Sequence, residues 1–316
     1  MTVGETSVPG ELMSRAVREF GITIDHAAVP ADARSGAGVH RARTPLGRAA
    51  YLKLTPAVLG TDALGAARRE LRFYRQLAAK VPVPTPPLLD AFEIDMGVAV
   101  LLAAAGDQVK VNAWSGDAWS MLGRDLAALH AVQVDRQDWV RPDALLDAIS
   151  APVSGTITKF WGGVLPGLSD LLDSRDALRA ELAPQPAVLV HGDCHTGNIV
   201  HAGDGLVFCD WQSTGAGRAT SDLAMLGVRA APAGVAVPRN MMTEYENQRG
   251  ATVMDLERAL ILEELAIFLF QWPPFAAYNS RAGIARVHDR TRDLAGKWFA
   301  MTSRSGSSRV VAIPGD

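Results

Sequence analysis

Cysteine is nearly missing: Cys194 and Cys209 are the only two in 316 residues. So sparse a set excludes a disulfide-stapled scaffold, and two free thiols in a reducing, cytoplasmic setting are expected. An excess of positive charge is missing as well. The 31 Lys and Arg against 34 Asp and Glu leave a formal net charge of −3. No nucleic-acid partner is expected, because such binding relies on concentrated cation. Long apolar runs are also absent. The longest uncharged one, residues 96–106, is roughly half of the ~20 residues that a spanning helix needs, and residues 259–272 are interrupted by Glu263 and Glu264. Residues 1–10 contain no apolar stretch of the kind a secretory leader carries, so neither a leader nor a membrane partner is expected. No internal repeat is visible.

What is present reads as an ordinary globular chain, long enough for one large domain or two modest ones. A first helix is expected near residues 11–20. A loop of small residues, Ser35-Gly36-Ala37-Gly38, then leads into a hairpin over residues 39–54, turning at Thr44-Pro45-Leu46-Gly47. Residues 61–79 carry Ala63, Ala67, Leu71, Tyr74, Leu77 and Ala78 at three- and four-residue steps, the stripe of an amphipathic helix. The proline-rich stretch 81–87 ends it, since proline lacks the amide donor and clashes with the preceding turn. Residues 88–92 and 98–102 read as two buried strands. From Asp117 onward helical patterns dominate, with Leu122, Leu126, Leu129 and His130 on one side. The layout is α+β: a strand-rich lobe over residues 1–105, a helix-rich lobe over 106–302, and a loose tail over 303–316.

The segment richest in chemistry follows the apolar strand 187–190. It reads His191-Gly192-Asp193-Cys194-His195-Thr196-Gly197-Asn198, then apolar residues, a Gly203-Asp204-Gly205 turn, and a strand ending in Asp210-Trp211. A hairpin at that turn returns Asp210 beside the loop that holds Asp193 and Asn198. Two carboxylates and an amide oxygen suit a hard Mg²⁺ ion. The five-residue interval from Asp193 to Asn198, with a second Asp after the hairpin, is the spacing of the phosphoryl-transfer template.

These residues resemble the aminoglycoside phosphotransferase and choline kinase-like superfamily. The matches are His191, Asp193, His195, Asn198, Asp210, Trp211 and the run Asp222-Leu223-Ala224. The resemblance implies a two-lobed protein-kinase-like fold that phosphorylates a hydroxyl of a small molecule, with ATP as donor (GTP left open) and Mg²⁺ as cofactor. It implies Asp193 as catalytic base, Asn198 and Asp210 as metal ligands, and His191, His195 and Asp222 as braces of the loop. A monomer or homodimer is expected. One departure stands out: the family usually has Gly-Asp-Pro where this chain has Gly217-Arg218-Ala219, which puts the local turn in question.

The strand-rich part can be read against the same template. Lys53 sits in an apolar strand, and Glu70 lies on the edge of the next helix's apolar stripe. A carboxylate there is costly to desolvate unless paired, and Lys53 is the natural partner. Gly36 and Gly38 offer backbone amides to phosphates, and Ala103 to Ala105 mark the hinge whose backbone would read adenine. His130 is expected to be structural, and Trp161, Trp298, Phe299 and the pair Met241-Met242 are expected to pack. For the acceptor, the helix expected over residues 255–270 has Asp255, Glu257, Glu263 and Glu264 against Arg258. That surplus favours a polycation such as an aminoglycoside or a viomycin/capreomycin-type peptide, with Trp272 and Tyr278 lining the pocket. Sugars, amino sugars and amino alcohols are the alternative. A zinc hydrolase built on His191, Asp193 and His195, and a nucleotide-binding pseudokinase, are the rival readings. The first lacks a second ligand cluster; the second predicts loss of Lys53, Asp193, Asn198 or Asp210, and all four are present.

Overall fold

A computed structural model describes residues 8–25, 38–249 and 256–307. The chain opens with helix α1 (Val8–Phe20) and strands β1 (Thr23–Ile24), β2 (Gly38–Arg43) and β3 (Ala49–Pro56). Helix α2 (Thr61–Gln76) and strands β4 (Leu88–Ile94), β5 (Gly97–Ala103) and β6 (Asp107–Gln108) follow. Next come helices α3 (Gly116–Leu129), α4 (Ala144–Ser150), α5 (Ser154–Trp161), α6 (Leu168–Asp173) and α7 (Arg175–Leu182). Strands β7 (Ala187–Val190), β8 (Ile199–Ala202), β9 (Gly205–Phe208) and β10 (Gly215–Arg218) lead into helices α8 (Ala219–Ala230), α9 (Arg239–Arg249), α10 (Leu256–Ala266) and α11 (Arg281–Ser307).

Two compact units emerge from the packing. The first contains the described residues of Met1–Val109 together with Asn198–Thr214. Its five-stranded sheet has the order β1-β2-β3-β5-β4, antiparallel throughout. Alternation along the strands sends Ala42, Ala50, Leu52, Leu54, Ala99 and Leu101 to one face, where they bury against Leu12, Ala16 and Phe20 of α1. The opposite face carries Val39, Lys53 and Val100 in register. β5 is buried as expected, whereas β4 is only partly so.

Where composition places a break at residue 105, the first unit runs to Val109 and also takes in residues 198–214. The reasons are local. Strand β8 pairs with β6 through His201↔Asp107 and Val200↔Gln108, and the Phe208 amide donates to Pro84 O at 2.9 Å. Trp211 stacks on Phe73 of α2 with centroids 4.0 Å apart and planes 9° from parallel.

The second unit contains the described residues of Lys110–Gly197 and Gly215–Asp316. It is mainly helical, with the short β7–β10 ladder inside it. Its core gathers Trp161, Leu171, Leu178, Leu265, Phe268, Trp272, Leu294 and Trp298. Met241 is buried beside α3, while Phe299 is only partly buried. Helix α11 runs on to Ser307, through residues 303–307 where composition suggests a loose tail. Val287, Leu294, Ala295 and Trp298 bury one of its faces, and that anchorage carries the helix into the Ser- and Gly-containing stretch. Residues 308–316 lie outside the described residues.

Candidate active site

In the first unit, Lys53 is the hub. Its Nζ lies 2.7 and 2.6 Å from the two Glu70 oxygens and 2.7 Å from Asp210 Oδ1. Lys53 occupies the face of β3 opposite the α1 core, and Glu70 is buried on α2. Burial works against the Lys53 charge, but Glu70 and Asp210 together outweigh it and hold the ammonium above its usual range. Burial likewise pushes the Glu70 carboxyl upward, Asp210 adds to the rise, and Lys53 offsets it only in part, so the carboxyl stays above its usual range. The pairing expected between Lys53 and Glu70 is therefore present, and Asp210 extends it to a triad.

Asp210 ends the β8–β9 hairpin in a left-handed conformation, φ 65° and ψ 61°. Among the described residues it is the sole non-glycine with positive φ, a conformation that costs energy for a residue with a Cβ and persists where its surroundings hold it. The neighbouring Cys209 amide donates to Asn198 O at 2.8 Å, and Trp211 Nε1 donates to Phe208 O at 2.8 Å. Asn198 and Asp210 thus stand at the same end of one hairpin, as its Gly-Asp-Gly turn requires. A carboxylate and an amide oxygen are the donor set for a hard divalent ion that keeps water and phosphate as its other ligands. Among the described residues no three His, Cys, Asp or Glu side chains gather as a metal-holding group.

Both cysteines are free. Burial drives the Cys209 thiol up to about 12, with Lys53 opposing the rise and Asp210 and Glu70 adding to it. A thiol so placed is not a nucleophile at neutral pH.

Gly36 lies outside the described residues. Gly38 opens β2, and a Cβ there would come 2.5 Å from His40 Nε2; cover by His40 accounts for the glycine, and its register with Leu54 places it on the α1 side, away from Lys53. The Ala103 amide donates to Pro87 O at 2.9 Å and the Ala104 amide to Ala49 O at 3.0 Å. Those two donors are committed inside the unit, and the half-buried Ala105 follows them. Tyr51, which the sequence reading passed over, pairs with Leu102 and lies two residues from Lys53 on the same sheet face. The period-two alternation of β3 was the signal that could have singled it out.

In the second unit, Asp222 of α8 organises the loop after β7. Its Oδ2 accepts the His191 amide at 2.7 Å and its Oδ1 the Gly192 amide at 2.8 Å. His130 Nε2 lies 3.2 Å from Oδ2, and His130 Nδ1 lies 3.0 Å from the Tyr245 hydroxyl. A carboxylate only accepts, so in the neutral ring Nε2 is the donor and Nδ1 accepts from Tyr245. Burial alone would raise the Asp222 pKa, but His130, His191 and the Gly192 amide reverse this and hold it below the usual carboxylate range. His191 Nδ1 accepts the Asp193 amide at 3.3 Å. His195 Nδ1 accepts the Gly197 amide at 3.0 Å, so its Nε2 bears the proton and faces Asp193 Oδ2 at 3.7 Å. His191, His195 and Asp222 thus hold the loop that presents Asp193, and Tyr245 joins them from α9 without having been foreseen.

The acceptor residues fare differently. Glu263 is fully buried and is met by Arg218 at 2.7 Å, with Thr220 Oγ1 at 3.0 Å. Arg218 also pairs with Asp143. Glu264 is held by Arg290 at 2.8 and 2.6 Å. Of the acids expected to attract a polycation, Glu263 and Glu264 are therefore already neutralised by arginines 45 and 26 positions away. Asp255 lies outside the described residues. Trp272 is 4% exposed and packs on Phe160 and Phe268, so it belongs to the core rather than to a pocket wall. Tyr278 is exposed. Arg218 answers the question of the missing Gly-Asp-Pro: it closes β10, precedes α8, and its carboxylate partners come from Asp143 and Glu263.

Residues 34–237 match a family described as the phosphotransferase enzyme family. The chain belongs to that family. As a member it is a phosphotransferase that acts on an alcohol group of a small molecule. No curated protein matches the sequence. Among solved structures it is similar to the macrolide 2′-phosphotransferase of Brachybacterium faecium, at 20% identity and TM-score 0.57, covering 90% of this chain and 98% of that one. It is also similar to an APH(2″) phosphotransferase complexed with GDP and kanamycin, at 13% identity and TM-score 0.64, covering 91% and 99%. A third similar structure is an amicoumacin kinase complexed with AMP-PNP, Ca²⁺ and its antibiotic, at 15% identity and TM-score 0.59, covering 90% and 92%. At such identities the likeness shows the shared fold, the α+β kinase-like fold of these phosphotransferases. Among the described residues no helix is long and apolar enough to cross a membrane.

Proposed function

We propose that the chain transfers the γ-phosphoryl group of ATP, with Mg²⁺, to a hydroxyl of a small molecule. The observation that carries this reading is the Lys53–Glu70–Asp210 triad, in which a buried glutamate holds a lysine against a carboxylate kept in a strained backbone conformation. Lys53 holds phosphate oxygens, oriented by Glu70. Asn198 and Asp210 hold the divalent ion, whose chemistry is to neutralise charge on the phosphates. Asp193 orients the acceptor hydroxyl and takes its proton. As that oxygen bonds to the γ-phosphorus, the bond to the bridging oxygen breaks and ADP leaves. His191, His195 and Asp222 position Asp193 through the loop. In this division of labour the first unit serves the nucleotide and the second the acceptor, and Tyr51 supplies an aromatic surface on the Lys53 face.

Hydroxylated antibiotics come first as acceptors. The support is the likeness to a macrolide phosphotransferase, an amicoumacin kinase and a kanamycin-bound phosphotransferase; Glu263 and Glu264 lend nothing to it. A metabolite such as a sugar, amino sugar or amino alcohol is the second reading. The test is a panel of these acceptors with Mg-ATP, and with Mg-GTP in parallel, read by mass spectrometry for a gain of one HPO₃. Modification of any acceptor supports the kinase reading and names its class. ATP bound with Mg²⁺ but transferred to none of them would favour a pseudokinase.

A further inference from the structure

Arg141 is a charged side chain near the β7 end of the loop that the site described so far does not use. It lies in the segment between α3 and α4, which is fastened to β10 by the Ala216 amide donating to Trp139 O at 2.8 Å. Its side chain rests on two glycines of β10. A Cβ at Gly215 would stand 3.1 Å from Arg141 Cβ and 3.3 Å from its Cδ; a Cβ at Gly217 would stand 2.8 Å from Nη2 and 2.9 Å from Nε. The same Gly217 position is 2.8 Å from a methyl of Val190, and Val190 directly precedes His191-Gly192-Asp193. The guanidinium is therefore laid into a trough cleared of side chains, beside the residue that leads into the loop.

No ion pair fixes it there among the described residues. Nε is buried without a hydrogen-bond partner. The nearest acid in sequence, Asp143, is committed to Arg218 and to the Leu146 amide, although Arg141 adds to the charges that lower its pKa. The neighbouring Arg218 takes two carboxylates while Arg141 takes none. Desolvating an arginine donor without an acceptor is costly, and a guanidinium in a fixed groove presents the fork that suits carboxylate and phosphate oxygens.

We propose that Arg141 is an oxyanion-binding group on the acceptor side, so that the acceptor, or the phosphorylated product, presents a carboxylate or phosphate oxygen to it. This rests on the kinase reading for its meaning but not for its measurement. The experiment is calorimetric titration of the full chain with inorganic phosphate, and separately with acetate, at low ionic strength. Wild type, Arg141→Met, Arg141→Lys and Gly217→Ala are compared, each first checked for an unchanged thermal unfolding midpoint.

Phosphate affinity is expected to fall about tenfold or more in Arg141→Met, the size of a lost charge-assisted hydrogen bond. It should fall less in Arg141→Lys. It should also fall in Gly217→Ala, where the charge remains but the added methyl displaces it. Acetate binding that follows the same order identifies a carboxylate-bearing acceptor; phosphate binding alone identifies the product's phosphoryl group. Repeating the titration with Mg-AMP-PNP bound separates these from the nucleotide. If phosphate binding then disappears, the guanidinium serves the donor and the acceptor-side assignment is overturned. Equal phosphate affinity in wild type and Arg141→Met, or none in wild type, also overturns it. Neither result touches the kinase reading, which the acceptor panel tests by itself.

Discussion

Three residues show how much a single charge can be asked to do. The Asp193 amide donates to His191 Nδ1 and its carboxylate faces the protonated nitrogen of His195; in the proposed reaction it takes the acceptor hydroxyl's proton. Asp193→Asn is expected to bind ATP as wild type does and to lose roughly 10²–10⁴-fold in kcat, the usual contribution of a positioned acid or base. A loss of a few-fold in steady-state assays would reduce Asp193 to a spectator. Asp210 differs, being locked to Lys53 and placed in a left-handed conformation. Asp125 of α3 is a third case, with no part in the chemistry. Burial raises its pKa to about 6, with Arg124 opposing. A carboxyl whose folded pKa is raised favours the folded state only while protonated: its contribution is full below the unfolded pKa and is lost as pH rises through about 6. Asp125→Asn should therefore stabilise the protein by about 1–2 kcal/mol at pH 8, allowing for the partial exposure of the group, and change nothing near pH 4. Thermal melts at the two pH values decide it; equal shifts at both would contradict the burial argument.

At the scale of elements, legibility in the sequence depended on whether the signal was local. The β8–β9 hairpin was readable because Gly203-Asp204-Gly205 can only turn, and α2 because its apolar residues repeat at helical spacing. Lys53 and Glu70 could be paired because a carboxylate on the edge of a buried stripe needs a cation. Nothing local announces that Arg218 of β10 would meet Asp143 before α4 and Glu263 in α10, across 75 and 45 positions. Local reading therefore treated Glu263 as free acid for a ligand when it is the buried counter-ion of a strand end. Trp272 misled in the same way: beside two prolines and Phe275 it looked like a pocket floor, yet Phe160 and Phe268 enclose it. The Arg218 cluster is predicted to fasten β10 and α8 to α10. Arg218→Met leaves Glu263 buried and uncompensated, and should cost about 3–5 kcal/mol in denaturant unfolding. Adding Glu263→Met should restore most of that loss. If the double variant is no better than the single, Arg218 acts by its packing and not by its charge.

Across the whole molecule, the chain passes from the second unit to the first at Gly197–Asn198 and back at Thr214–Gly215. Composition gives no sign of this return, because residues 198–214 are assigned by their contacts with β6, Phe73 and Lys53 and not by any property of their own. The family signature is concentrated around both crossings, which is why it was legible while the acceptor was not. Hydrogen-bonded loops and paired charges recur at fixed intervals, whereas an acceptor surface is assembled from distant segments. The central claim is that Asp210 of the first unit binds the nucleotide's divalent ion. Its most direct test is calorimetric titration of ATP, with and without Mg²⁺, into wild type and Asp210→Ala. Mg²⁺ should tighten ATP binding to wild type by about tenfold or more, ~1.4 kcal/mol, and leave Asp210→Ala nearly unchanged. An equal response to Mg²⁺ in both proteins would contradict the account.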